Sequence, residues 1–156
     1  MHIFVVEKRG DLMNSLETEI FMLKEFKNLK LDKILFEAKS PILFTAVAEN
    51  NDPYLFLRLH DDGDKIIWSA TKTTYNLLIL LLENKLTIAD TFMLGDVLKY
   101  AAILTKNELE FKTFSRHKCP YEFLPSSDEY LDVENGEYDE EISEFKKRMA
   151  EERFYD

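Results

Sequence analysis

His60 is followed at once by Asp61, Asp62 and Asp64, the densest run of metal-ligand types in the chain. An imidazole at a strand end beside turn carboxylates has the donor set for a divalent cation, provided the groups converge on one point. The same residues also make a hairpin turn, because Asp and Gly63 tolerate the positive φ that tight hairpins need. A twelve-residue calcium loop would require a distal Glu that this pattern does not supply. The turn therefore explains the acids, and no metal is expected.

His117 and Cys119 lie two residues apart, so an extended strand would turn both to the same side. A thiol with an imidazole base is the minimum for nucleophilic catalysis, although the base normally arrives from another part of a fold. Cys119 is the only cysteine, and two ligands do not complete a zinc site. The pair is expected to be incidental, beside the Pro120 turn. Gly10, Gly63, Gly95 and Gly136 are isolated, which leaves no phosphate-cradling loop, and neither a nucleophile elbow nor a His-Glu-x-x-His helix occurs. The residues nominate no catalytic group and no cofactor, and the expectation leans away from an enzyme.

Charge is distributed far more unevenly than these groups. Residues 128–156 hold 12 Asp and Glu against 4 Lys and Arg, so this short segment carries −8 of the net −10. The remaining 127 residues hold 18 acids and 16 bases. Such a segment repels phosphate and headgroups, which argues against direct nucleic-acid or membrane binding and favours a basic protein surface. Tyr130, Tyr138, Phe145, Phe154 and Tyr155 are interleaved with the acids, and aromatic anchors inside a charged rim suit a protein interface. Tyr130, Tyr138, Glu140, Glu141, Glu144 and Phe145 are the candidate interaction residues. In the competing reading, Ile142, Phe145 and Met149 form a stripe that docks back on the chain's own domain.

The elements that must position these groups read as an α+β fold: an antiparallel meander packed against a few helices and closed by an acidic C-terminal helix. Residues 1–127 form the domain and 128–156 the acidic segment. At this length about 70% of the unfolded chain's surface is buried, enough for an ordinary core. His2 to Val6 reads as a short strand. A helix starts at Asn14, with Glu17 completing a capping box, and Leu16, Ile20, Leu23 and Lys27 share a face that Phe21, Met22 and Phe26 widen. Strands follow at 34–37, 42–48, 54–60 and 65–70. Thr74 caps a helix through Glu83 that Asn84 ends, and Thr87 caps a shorter one ending near Gly95. Two further strands, 97–104 and 108–114, flank Lys106-Asn107, and 140–154 reads as the terminal helix.

Leu77 to Leu82 is apolar all round its helix, so it must be covered on more than one side. Two-fold self-association would cover it, and so would the helix at 14–27; the dimer is the marginal preference. The longest apolar run is these six residues, far below the ~18 of a membrane span, and one cysteine suits a reducing compartment, so a cytoplasmic location is expected.

Pro41-Ile42-Leu43-Phe44, Tyr54-Leu55-Phe56-Leu57, the Asp61 to Asp64 hairpin, Trp68 and Asn84-Lys85-Leu86-Thr87-Ile88-Ala89-Asp90 together resemble an uncharacterised bacterial domain family of unknown function. The segment Leu124 to Leu131 is similar to that family's closing stretch. The resemblance covers residues 34–94 and implies an α+β fold and a bacterial or phage origin, with no activity. The leading expectation is a non-catalytic interaction or regulatory protein that presents its acidic, aromatic-bearing surface to a basic protein. The alternatives are an inhibitor or antitoxin-like protein whose acids mimic nucleic acid, and a small enzyme or ligand-binding domain with a pocket between meander and Leu-rich helix.

Overall fold

The computed structural model describes residues 26–38, 40–106, 108–125 and 129–155. Six strands form one antiparallel sheet in sequence order: β1 (Lys30–Ala38), β2 (Ser40–Val47), β3 (Pro53–Asp61), β4 (Lys65–Lys72), β5 (Leu98–Thr105) and β6 (Leu109–Ser115). The expected meander therefore extends to all six strands. Between β4 and β5 the chain leaves the sheet for α1 (Tyr75–Leu82) and α2 (Ile88–Leu94), and α3 (Asp139–Tyr155) closes the chain. The expected strand at His2–Val6 and the helix from Asn14, apart from its last residues Phe26 and Lys27, lie outside the described residues. No helix among those described is long and apolar enough to cross a membrane.

Local chemistry sets the turns. Gly63 takes φ 91° in the β3–β4 hairpin, where the Asp61 carboxylate accepts the Gly63 N–H and the Asp62 carboxylate accepts those of Asp64 and Lys65. Thr74 and Thr87 cap α1 and α2 by accepting from Leu77 N–H at 3.2 Å and Asp90 N–H at 3.0 Å. Asn84 ends α1 at φ 63°.

Alternation along the strands gives the sheet two apolar faces. One carries Phe44, Phe56, Trp68, Ala70 and Ala102, joined by Phe26, whose ring meets Phe56, Tyr100 and Phe111 edge-on at 5.2–5.4 Å. The other carries Leu43, Leu55 and Leu57 and packs on Tyr75, Leu78, Ile79, Leu81 and Leu82 of α1, Phe92 of α2, and Tyr138 and Phe145. The sheet covers one side of α1 and α3 the other. The acidic C-terminal helix thus covers the face of α1 turned away from the sheet, leaving only Leu77 and Leu80 of its apolar run half-buried.

Candidate functional site

The acidic segment is anchored before it is exposed. Gly136 takes φ 83° while Asn135 stays at negative φ, which turns the chain so that the Glu137 N–H donates to Glu134 O and α3 can start at Asp139. Tyr138, Ile142, Phe145 and Met149, at spacings of three and four, then face α1 and the sheet. Phe145 is fully buried, with its ring 5.3 Å from that of Tyr75. The buried Tyr138 hydroxyl donates to Leu35 O of β1, and burial pushes that phenol up to about 12.

Ion pairs fix the same helix to β1. Arg148 makes a bidentate pair with Asp32 at 2.6 and 3.0 Å, and its guanidinium lies over the Tyr75 and Phe145 rings at 5.6 and 5.7 Å. Glu144 is shared between Lys33 and Arg148. The Lys33 contact, with Arg148 behind it, holds the Glu144 carboxyl below its ordinary range.

Of the six residues nominated from sequence, Tyr138 and Phe145 therefore face the chain's own core and are not part of an outer surface. Glu144 is half-buried in its ion pairs, Glu140 is exposed, Glu141 is half-buried and Tyr130 is 50% exposed. Burying the apolar stripe turns the carboxylates outward. Glu129, Asp132, Glu134, Glu137, Asp139, Glu140, Glu141 and Glu144 fall within residues 129–145, which contain no Lys or Arg. The acids Asp139, Glu140 and Glu141 in the first turn of α3 suit the positive end of the helix dipole. Glu83, from the end of α1, joins Glu134, Glu137 and Asp139 around an open cleft of about 420 Å³.

The other sequence candidates separate. His60 Nε2 sits 3.0 Å from an Asp62 carboxylate oxygen, and that contact, with the Asp64 and Lys65 N–H bonds, lowers the Asp62 carboxyl to about 2. Its oxygens are thus occupied by the turn, and among the described residues no three His, Cys, Asp or Glu converge as metal ligands. His117 is exposed on the 3₁₀ turn Arg116–Lys118. Cys119 instead packs beside Ile67, Ala101, Ile103 and Phe123, where burial pushes its thiol up. An open groove of about 270 Å³ runs past Ile42, Leu57, Leu59, Ile88 and Leu131, with Arg58 and Glu129 also on its lining. Arg58 is 3.4 Å from Asp61.

Sequence reasoning missed Lys99. Its side chain is fully buried and Nζ donates to Thr71 Oγ1 at 3.0 Å, Phe92 O at 2.5 Å and Asp96 O at 2.7 Å. Arg116 donates to Gly95 O at 2.7 Å, so two cations close the carbonyl end of α2. Burial, reinforced by the nearby Arg116 charge, lowers the Lys99 amine to about 8. The signal available in the sequence was parity: Lys99 shares its strand face with Ala101 and Ile103, both inward. No family model matches the chain, and no curated protein or solved structure does so either. The likeness of residues 34–94 to an uncharacterised bacterial family thus rests on the sequence pattern alone.

Proposed function

We propose that this is a non-catalytic binding protein that presents the outer face of α3 and the preceding turn to a basic protein surface. The observation that supports the reading is the base-free run of eight carboxylates from Glu129 to Glu144, four on the segment leading into α3 and four on α3 itself, whose apolar stripe and Arg148 clamp are used up inside the domain. Fixed like charges raise the potential over one patch, and a complementary partner gains mainly in association rate and selectivity. Tyr130, half exposed beside the acids, is the aromatic anchor of that patch. Glu144 serves the anchor more than the rim, because Lys33 and Arg148 already neutralise it.

The test is affinity capture from the native host with the wild-type chain and with a Glu137→Lys, Glu140→Lys, Glu141→Lys variant. A basic protein held by the wild type at low salt, released by raised salt and lost by the variant, supports the reading; equal retention by both chains overturns it. If that partner binds nucleic acid, duplex DNA competing with the wild-type chain for it would favour the inhibitor reading over a regulatory one.

A further inference from the structure

The two edges of the sheet are finished differently. β1 has register shifts at three places along its pairing with β2, and one of its carbonyls, Leu35 O, accepts the Tyr138 hydroxyl. Bulges and side-chain cover of this kind are how an edge strand is kept from pairing with another chain. Among the described residues β6 has neither device: it pairs with β5 in one unbroken register from Leu98↔Ser115 to Leu104↔Leu109.

That register determines which backbone groups of β6 are free. Thr105 N–H donates to Glu108 O at one end and Arg116 N–H to Val97 O at the other, so Glu108, Glu110, Lys112, Phe114 and Arg116 bond inward to β5. Leu109, Phe111, Thr113 and Ser115 consequently turn N–H and C=O towards the open side. We propose that this edge pairs with β6 of a second copy, antiparallel about a two-fold axis through Phe111, joining the two sheets into one.

Charge selects that register from its neighbours. With Phe111 opposite its own copy, the outward-turned residues are the ones that exchange hydrogen bonds. Glu110 of each chain then stands directly opposite Lys112 of the other at a non-hydrogen-bonded position, where side chains lie closest. Both side chains are about half exposed, at 52% and 43%, and already on one face. Moving the axis by one residue places either Glu110 opposite Glu110, with Glu108 opposite Lys112, or Lys112 opposite Lys112, so each neighbouring register adds a like-charge contact that the Phe111-centred one lacks. The Phe111 rings, each stacked on Tyr100 at 5.8 Å within its own chain, meet at the axis. The acidic α3 is clamped to β1 at the far edge. Five strand spacings of ~4.8 Å place that edge about 24 Å away, roughly three screening lengths at physiological salt. The charge carried on α3 is therefore largely screened at the seam.

Sedimentation of the full chain with Glu110→Lys and Lys112→Glu tests this. The wild type is expected at twice the 18.4 kDa chain mass at micromolar concentration. Each single variant turns two attractive pairs into two repulsive ones and should weaken the dimer about tenfold or more. An equal mixture of the two variants restores complementary pairing and should return to the dimer, which a folding defect could not produce. A wild type that stays at 18.4 kDa, variants that sediment like the wild type, or a mixture that does not recover would each overturn the proposal. So would a monomer whose Leu109, Phe111 and Thr113 amides are protected from exchange, since the edge would then be covered within one chain.

Discussion

Phe145→Ala removes the side chain on which the placement of the acidic face depends. Phe145 is completely buried against α1, with its ring near Tyr75 and under the Arg148 guanidinium. Truncating a buried Phe to Ala costs about 3–5 kcal/mol through lost transfer energy and the residual cavity. The upper half of that range applies here, because Arg148 also loses part of the surface that orients it toward Asp32. Against a total stability of about 5–15 kcal/mol for a domain, this is about a quarter or more of the whole. Urea unfolding of the variant, beside Glu140→Ala as an exposed control expected within ±0.5 kcal/mol or so, gives the difference directly. Hydrogen exchange adds location: α3 amides should lose protection before those of β3 and β4. A loss below about 1 kcal/mol, or unchanged protection of α3, would refute the claim that Phe145 holds the helix in place.

Three further outcomes follow from the same packing. Lys99→Met should remove a pH dependence: the amine titrates at about 8 in the fold against an ordinary 10.5. Between these values the unfolded chain keeps the proton that the folded chain has released, so wild-type stability rises with pH relative to the variant, by about 3 kcal/mol across the window. A difference in unfolding free energy that stays flat from pH 8 to 10.5 would contradict it. Gly95→Ala places a Cβ 2.7 Å from Lys72 O and 3.3 Å from Thr71 Oγ1, forcing α2 off β4; thermal unfolding should show a loss of about 1–3 kcal/mol, and an unshifted midpoint would count against that seam. Chelation should leave the midpoint unchanged, because turn N–H groups and His60 already occupy the Asp62 carboxylate; a fall of more than ~5 °C would reveal a metal contribution.

What was legible in the sequence was local. Thr74, Thr87, Asn84 and the Asp61–Asp64 hairpin act through neighbours a few residues away, and each takes the role its side chain suggests. An amphipathic stripe also says that a face is buried, but not against what. Leu77 to Leu82 announced a covered helix, yet its cover comes from Tyr138 and Phe145, more than fifty residues on. The start of β1 was hidden for a related reason. Lys30, Asp32 and Lys33 read as polar chain outside a strand, and only the pairing of Asp32 and Lys33 with Arg148 and Glu144 explains charges along an edge strand. Lys99 escaped because a lysine inside a strand normally marks the solvent face; here three acceptors from β4, α2 and the loop after it meet the amine.

Carboxyl footprinting of the complex with the captured partner tests the functional account most directly. Water-soluble carbodiimide labels exposed carboxylates, and the chain contains its own reference in Asp61 and Asp64 of the β3–β4 hairpin, both exposed. The account predicts that the partner protects Glu134, Glu137, Asp139 and Glu140, that protection fades as salt is raised, and that the two hairpin acids label equally in the free and bound states. Protection of the hairpin acids with Glu137 to Glu140 still reactive would place the interface elsewhere and contradict it.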